Sequence, residues 1–216
     1  MKDIEEISGY SHPDAGHASA HTYLLPTVLK ELQYSWAVLK GNGQRPRLFD
    51  VGCGNGSIAA RLAEEGWHVA GIDPSREGIS QANRSFPSLS LERGSAYDDL
   101  AGMYGTFPVV ISLEVVEHLY SPREYARTVY DLLEVGGRAI LSTPYHGYWK
   151  NLALAITGKM DDHFTALWDH GHIKFWSIQT LSALLEEAGL SNLKFYRVGR
   201  IPPLAKSMIV VAEKHA

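Results

Sequence analysis

The sequence holds little cysteine and no long hydrophobic run. Its single cysteine, Cys53, excludes an internal disulfide, and a free thiol is typical of proteins from a reducing compartment. No uninterrupted apolar stretch reaches the roughly 18 residues of a membrane-spanning helix, and the polar residues 1–21 contain no apolar segment of signal-peptide length. These absences predict a cytoplasmic protein.

Basic residues are neither in excess nor clustered. Lys and Arg number 20 against 24 Asp and Glu, which gives a formal net charge of −4. Since nucleic-acid backbones are bound by clustered Lys and Arg, a nucleic-acid partner is disfavoured. With 45% hydrophobic and 20% charged residues, the composition is that of a globular protein, and the length predicts one domain over residues 1–216.

Apolar segments with strand and helix periodicity alternate from residue 47 onward, after a helical cap expected in residues 1–46. This alternation predicts βαβ units on a parallel sheet. Two later strands are candidates for an antiparallel end of that sheet. The predicted strands are 47–51, 68–72, 89–93, 109–113, 137–143, 193–198 and 208–212, and the predicted helices are 23–39, 57–65, 75–86, 122–133 and 178–188.

Residues 145–176 interrupt the alternation. They are rich in Tyr, Trp and His and hold one apolar stretch, residues 149–156. Because insertions after the carboxyl ends of strands often cover ligands, we predict a substrate-covering lid. An aromatic and aliphatic face edged by Lys150 and Lys159 also suits a peripheral membrane contact through residues 148–159. A helix buried under the sheet edge is the third interpretation.

The segment LFDVGCGNGSIA leads from a buried strand into a helix and carries glycine at positions 52, 54 and 56. Such a loop lets the backbone approach a ligand closely. The dinucleotide fingerprint fails, because its third glycine is replaced by Ser57. Asp73, at the end of the second strand, can accept hydrogen bonds from two ribose hydroxyls or simply cap the next helix. Together, the loop and the acid favour a nucleotide-type ligand.

Two of these segments resemble a known family. FDVGCGNGS resembles the first motif of class I S-adenosylmethionine (SAM)-dependent methyltransferases, and VAGIDPS resembles the second. The resemblance implies a Rossmann-like α/β fold, with a doubly wound, seven-stranded, mostly parallel sheet and the lid after strand 5. It also implies that Asp50 lies near the methionine end of SAM and that Asp73 holds the ribose.

The later run LERGSAYDDL resembles the adenine-edge segment of the same family. Ser95 stands where the family often has Asp, and Asp98 is the alternative contact for the adenine amine. The resemblance as a whole implies the following SAM-binding residues: Asp50, Gly52, Cys53, Gly54, Asn55, Gly56, Asp73, Pro74, Ser75, Ser95, Ala96, Leu113 and Glu114.

A cluster of Glu114, Glu117 and His118 follows the fourth predicted strand. If a helix begins there, the i, i+3, i+4 spacing places all three side chains on one face. Two carboxylates and an imidazole suit a divalent cation, or a general base with acidic partners. A solvated helix start, where Glu is favoured by the dipole, is the alternative.

The segment ISLEVVEHL resembles the ubiquinone-biosynthesis O-methyltransferases, which carry Glu-x-x-Glu-His at this strand end. The small-RNA 2′-O-methyltransferases share the pattern and complete a metal site with a downstream histidine. In WDHGHIKFWS, His172 is nearer the matching position than His170. The resemblance implies metal ligands among Glu114, Glu117, His118 and His172, and the histidines that follow strand ends supply the catalytic candidates His118, His172 and His146.

The combined prediction is SAM-dependent methyl transfer to a small-molecule acceptor. Because the sulfonium methyl is already activated, the protein must mainly align the acceptor and remove a proton from a hydroxyl. We therefore predict O-methylation, with a divalent cation as an additional candidate cofactor. N-methylation, a nucleotide-binding oxidoreductase and a non-catalytic SAM-binding module are the alternatives.

Overall fold

Strands and helices alternate through the computed structural model, which describes residues 20–169 and 171–215. The elements, in chain order, are α1 (His21–Gly41), β1 (Arg47–Val51), α2 (Ser57–Glu64), β2 (His68–Asp73), α3 (Arg76–Ser85), β3 (Ser90–Arg93), α4 (Leu100–Tyr104), β4 (Phe107–Leu113), α5 (Pro122–Leu132), β5 (Leu133–Pro144), α6 (Tyr148–Ile156), α7 (Met160–Phe164), α8 (Ile178–Glu187), β6 (Leu190–Val198) and β7 (Ser207–Lys214).

The strands form one seven-stranded sheet in the order β3-β2-β1-β4-β5-β7-β6. Neighbours from β3 to β5 pair in parallel, as the βα alternation predicts. The chain moves outward from β1 to β3 and then returns to β4 on the other side of β1. This reversal makes the carboxyl ends of β1 and β4 the switch point of the sheet, which is where open α/β sheets bind ligands.

The last two strands occupy the end of the sheet and pair antiparallel there, as predicted. Strand β7 runs antiparallel to β5, and β6 runs antiparallel to β7. Because two reversals cancel, β6 points the same way as β1. Helix α4 is absent from the prediction, since its five residues are too short to show helical periodicity.

Both faces of the sheet are covered by helices, which confirms the doubly wound architecture. One core contains side chains of α4, α5 and α8, and the other contains those of α1, α2 and α3. Strand β1 serves both cores, because Phe49 faces the first and Leu48 the second. This alternation is the period-two pattern of a strand buried on both faces.

Helix α1 confirms the predicted helix 23–39, whereas residues 1–19 of the expected cap lie outside the described residues. Leu24, Val28 and Leu32 recur at intervals of four and are buried, and each such side chain contributes roughly 1.5–3 kcal/mol relative to exposure. Buried Glu31 accepts hydrogen bonds from Arg138 Nη2 at 2.7 Å and from Lys194 and Tyr196. Apolar packing and this ion-paired carboxylate together fix α1 on the sheet.

Candidate functional site

The glycine loop leaves β1 at the switch point and lies against the turn that follows β4. The amides of Gly52 and Cys53 both donate to the carbonyl of Ile72, at 2.8 and 2.9 Å. Gly52 has a φ of +90°, and a Cβ there would lie 2.4 Å from Cγ2 of Val115. Only glycine permits this backbone conformation beside that side chain.

Gly56 has a different structural reason for being glycine. It is the N-cap of α2 in the left-handed conformation, and a Cβ would lie 2.8 Å from Leu91 and 2.9 Å from Ala82. The loop is therefore shaped by contacts with β3 and α3 as well as with the turn after β4. The missing third glycine, Ser57, is the first residue of α2 and is buried.

Asp73 joins the end of β2 to the glycine loop. Its Oδ2 accepts from the amide of Gly54 at 3.0 Å, and its Oδ1 accepts from the amide of Ser75 at 2.8 Å. Ser75 is itself the N-cap of α3 and accepts from Gly78 at 3.0 Å. A carboxylate accepts at about four lone-pair positions, so these two contacts are compatible with hydrogen bonds from ribose hydroxyls.

Asp50 lies beneath this loop and is 3% exposed. Burial, with the charge of Asp73 as a second cause, raises the pKa of Asp50 to about 8. A buried carboxyl group with a raised pKa becomes more stable as a carboxylate when a positive charge approaches. The sulfonium and amine of SAM are such charges, so the pair of acids fits the predicted ligand.

The expected adenine-edge residues lie together in the turn after β3. The amide of Ser95 donates to Oδ2 of Asp98 at 2.7 Å, and the amide of Tyr97 donates to Oγ of Ser95 at 3.2 Å. Ala96 is buried beneath them. The turn connects to the end of β2, because the amide of Gly94 donates to the carbonyl of Asp73 at 3.2 Å.

The remaining predicted loop residues differ in exposure. Cys53 is buried, and burial raises the pKa of its thiol. Asn55 is also buried, and its Oδ1 accepts from the amide of Ser57 at 3.2 Å. Pro74 is exposed, whereas Leu113 is half-buried at the end of β4. Asn55 therefore stabilises the first turn of α2, and Leu113 directly precedes the acidic turn, which is residues 114–118.

The expectation that Glu114, Glu117 and His118 share one α-helical face is wrong. Glu114 has a φ of +57°, and a one-turn 3₁₀ helix covers Val116–His118. This left-handed residue turns the chain out of β4 and separates the two glutamates. The Glu114 carboxylate accepts from Oγ of Ser142 at 2.8 Å and from Oγ of Ser207 at 3.2 Å. Burial raises its pKa to about 7, although both hydroxyls oppose the rise.

Glu117, His118 and His172 do come together, with one ligand-type atom of each lying within 4.8 Å of the others. Glu117 is buried; its Oε2 accepts from Thr143 at 3.0 Å, and its Oε1 lies 4.0 Å from Nε2 of His172. Burial and the neighbouring Glu114 raise the pKa of Glu117 well above its ordinary value. Burial and His118 lower the pKa of His172 to about 4, so that its ring is neutral at pH 7.

His146 belongs to a second cluster, on the lid side of the site. Its ring contacts His163, Phe164 and Phe175, with centroids 5.3, 5.8 and 5.0 Å away. Burial and the charge of Lys150 lower the pKa of His146 to about 4. The three predicted catalytic histidines are thus divided between two clusters, and His170 lies outside the described residues.

Helix α6 occupies the predicted lid, and the buried-helix interpretation is wrong for it. Tyr148, Trp149 and Ile156 are 73%, 64% and 77% exposed. Lys150, expected at a solvated edge, is instead 8% exposed and donates to the carbonyl of Lys206 at 3.3 Å. None of the helices in residues 20–169 and 171–215 combines the length and apolar character that would cross a membrane.

Several polar residues of the site were not predicted from the sequence. Ser142 and Thr143 at the end of β5 hold the two glutamates, and Ser207 at the start of β7 links Glu114 to the hydroxyl of Tyr23 in α1, at 3.2 Å. Ser142 and Thr143 stand directly before Pro144, which ends β5. These two adjacent hydroxyl residues at a strand end were the signal in the sequence that could have identified them. Tyr23 of α1 and Ser207 of β7 reach the site through contacts between distant segments, so no local sequence pattern identifies them.

A comparison of the whole chain with known families decides its assignment. Residues 21–194 match the model of the methyltransferase domain family. The chain belongs to this family. Relatives with curated names include a ubiquinone biosynthesis O-methyltransferase of a Caulobacter species, 39% identical over 126 residues that cover 55% of this chain and 50% of the relative. The enzyme of that name from Ruegeria pomeroyi is 34% identical over 148 residues, 67% of this chain and 59% of the relative.

The methyltransferase fold is also found among solved structures. Magnesium protoporphyrin IX methyltransferase from Synechocystis, solved with bound S-adenosylhomocysteine (SAH), superposes with a TM-score of 0.60 at 21% identity, covering 86% of this chain and 82% of that one. This likeness shows the class I methyltransferase fold. The chain spans only 50% and 59% of the length of the two O-methyltransferases that it matches.

Proposed function

We propose that this protein is an O-methyltransferase that transfers the methyl group of SAM to a hydroxyl of a small-molecule acceptor. The observation that carries the proposal is the 3.0 Å hydrogen bond from Gly54 to Asp73, which fixes the glycine loop and the ribose acid together at the switch point. The names of the curated relatives support oxygen as the acceptor atom. The buried single thiol supports a cytoplasmic location, and the net charge of −4 supports a small molecule over nucleic acid.

In this proposal SAM supplies the activated methyl group, and the residues of the chain bind, orient and move a proton. The glycine loop and Asp73 hold the nucleoside, while Asp50 offers negative charge near the methionine end. Nδ1 of His118 lies 3.2 Å from the carbonyl of Gly171. A carbonyl only accepts, so this contact requires the proton on Nδ1 and makes Nε2 the basic nitrogen. His118 then takes the hydroxyl proton as the methyl group is transferred.

Turnover with defined acceptors tests the proposal. The protein is incubated with SAM and either catechol or a matched aromatic diamine, and SAH and the methylated product are measured by mass spectrometry. We expect the catechol to be methylated. Methylation of the diamine alone would favour N-methylation, and SAH binding without turnover of any acceptor would favour a non-catalytic SAM-binding module.

The same residues also support a bound divalent cation. Two imidazoles and a carboxylate match the ligand preference of Zn²⁺ or Fe²⁺, and Glu117 Oε1 is buried without a hydrogen-bond partner among the described residues. Glu117, His118 and His172 would hold the ion, whereas Glu114, the fourth predicted ligand, is held by Ser142 and Ser207. Such a cation would take Nε2 of His118, so it is an alternative to the histidine base, and it would lower the pKa of the acceptor hydroxyl instead.

Metal removal distinguishes a cation from a metal-free histidine base. With a bound cation, EDTA followed by gel filtration lowers activity and one divalent ion restores it. Elemental analysis of the untreated protein should find about one ion per chain, and less in His172→Ala. Full activity after EDTA, in protein shown to be metal-free, would reject the cation and leave His118 as a metal-free base.

The exposed face of α6 supports a lid that closes on the acceptor. We expect the fluorescence of Trp149 to shift to shorter wavelength when catechol is added to the SAH-loaded protein. The Trp149→Phe variant provides the difference spectrum, because four other tryptophans are present in the sequence. An identical spectral change in both proteins would remove Trp149 from the lid.

The same face also supports a peripheral membrane contact through residues 148–159. In that case the protein should sediment with anionic liposomes, and substitution of Trp149 and Ile156 by Gln should abolish sedimentation. Failure of the wild-type protein to sediment would leave the lid as the remaining role of α6.

A further inference from the structure

Tyr23 of α1 reaches the acidic turn through a buried serine. Its hydroxyl lies 3.2 Å from Oγ of Ser207 at the start of β7, and Oγ of Ser207 donates to Oε2 of Glu114 at 3.2 Å. Because a serine hydroxyl has one proton and Ser207 gives it to Glu114, the hydroxyl of Tyr23 is the donor to Ser207. Two hydrogen bonds that both point toward Glu114 therefore connect α1 to the residue that follows β4.

The carboxylate of Glu114 is held on both oxygens. Oε1 accepts from Oγ of Ser142 at 2.8 Å, and the same Oγ accepts from the amide of Glu114 at 3.0 Å. Ser142 and Ser207 are each 1% exposed, so these hydrogen bonds are shielded from water. A residue other than glycine with a φ of +57°, as Glu114 has, persists where its surroundings fix it. The fold thus holds this side chain in one orientation.

The groups that hold Glu114 are neutral, and its charge has no cation in contact. In residues 20–169 and 171–215, no Lys or Arg forms an ion pair with it within 4.0 Å. The next residue, Val115, packs against Gly52 of the glycine loop, so Glu114 lies beside the candidate SAM site. Because a buried carboxylate is normally paired with a positive charge, the site is suited to a ligand that brings one.

We propose that Tyr23 is a positioning residue of the SAM site, whose hydroxyl acts through Ser207 to hold the carboxylate of Glu114 toward the positively charged methionine end of SAM. The inference rests on the proposed function and adds α1 to the elements that serve it. Tyr23 does not contact the ligand; it fixes the carboxylate that attracts the sulfonium and the amine. Removal of this hydroxyl therefore weakens binding of the cationic ligand and leaves binding of the nucleoside intact.

Docking of α1 is the competing explanation for Tyr23. The hydroxyl of Tyr196 in β6 has that role, because it donates to the buried carboxylate of Glu31 in α1. If Tyr23 only attached α1 to the sheet, loss of either hydroxyl would act on every ligand alike. If Tyr23 serves Glu114, its loss alone changes the part of the affinity that depends on ligand charge.

The test compares SAM with 5′-methylthioadenosine, which keeps the nucleoside and a neutral sulfur but lacks the sulfonium charge and the amino acid. Both affinities are measured by calorimetry. We expect Tyr23→Phe to weaken SAM binding about three- to ten-fold and methylthioadenosine binding less than about two-fold, the loss of one neutral hydrogen bond being confined to the charged ligand. Tyr196→Phe is the matched control and should leave the ratio of the two affinities unchanged.

A double-mutant cycle tests whether Tyr23 acts through Ser207. Ser207→Ala should reduce the affinity ratio at least as much as Tyr23→Phe does. Adding Tyr23→Phe to Ser207→Ala should then have no further effect, because substitutions within one hydrogen-bonded chain are not additive. Two losses that multiply in the double variant would show independent contributions and overturn the connection.

Two further results would overturn the role of Tyr23: an unchanged affinity ratio in folded Tyr23→Phe, even with a lower kcat, or an equal reduction in Tyr196→Phe. Melting curves establish that each variant is folded. If Ser207→Ala does not fold, or if methylthioadenosine binds too weakly to measure, the SAM affinities of Tyr23→Phe and Tyr196→Phe decide. Failure of the wild type to bind SAM would refute the proposed function itself, whereas SAM binding with an unchanged ratio would refute only the role of Tyr23.

Discussion

His118→Ala is expected to lower kcat by about 10²-fold or more, the usual contribution of a general base. The affinity for SAH should change less than about two-fold. The physical reason is position: His118 lies in the 3₁₀ turn after β4, whereas the proposed nucleoside-binding groups, the glycine loop and Asp73, lie at the ends of β1 and β2. Its contact with Gly171 orients the ring, so the substitution removes the proposed base from a position that the fold holds in place. Single-turnover assays with SAM and catechol, alongside SAH calorimetry, measure both quantities.

The matched control is His68→Ala. His68 is an exposed histidine at the first residue of β2, on the amino edge of the sheet, and its removal should leave kcat unchanged. The side-chain amide in His118→Gln can still donate to the carbonyl of Gly171 but offers no basic nitrogen, so its kcat should be nearly as low as that of His118→Ala. Full activity of His118→Ala in protein with a native melting curve would exclude His118 as the base.

Asp73→Ala should weaken SAH binding by about 1–3 kcal/mol, or roughly five- to 150-fold, because the buried ribose hydroxyls lose their acceptor. The variant also leaves the amides of Gly54 and Ser75 without their carboxylate partner. Some loss of thermal stability is therefore expected together with the loss of affinity. Asp73→Asn, which retains one acceptor oxygen, should lie between Ala and the wild type.

Asp131→Ala controls for the removal of a carboxylate in general. Asp131 is exposed near the C-terminal end of α5, so its substitution should leave SAH affinity unchanged. Calorimetry is performed below the melting temperature of every variant, so that a loss of folding is not mistaken for a loss of affinity. Unchanged affinity in a folded Asp73→Ala protein would remove Asp73 from the nucleoside site.

Local sequence patterns were sufficient for the strands and for most helices, and they place the candidate nucleoside-binding residues at strand ends. The predicted strand 47–51 and the start of the helix at Ser57 match the structure because glycine punctuation and buried-strand periodicity are short-range signals. Asp73 was located by the same logic, since it ends a strand whose neighbour carries the glycine loop. The order and direction of β6 and β7 could not be predicted, because pairings between distant segments decide them.

The acidic turn could not be predicted in detail, since the conformation of one residue decides it. The left-handed Glu114 breaks the helical spacing that the sequence indicates, and the stabilising contacts come from Ser142 and Ser207 in distant segments. The same limit applies to Lys150, whose burial depends on the carbonyl of Lys206. Where long-range contacts override local spacing, the residue types predict which chemical groups a site offers, but not which residues they contact.

The most direct test is a calorimetric titration of the wild-type protein with SAH and, separately, with NADH. Asp73 and the glycine loop suit either ribose, whereas Ser57 and the acidic cluster favour SAM. We predict saturable binding of SAH with a stoichiometry of about one per chain and no measurable binding of NADH. Saturable binding of NADH without binding of SAH would contradict the assignment of the nucleoside site and the methyl-transfer function built on it.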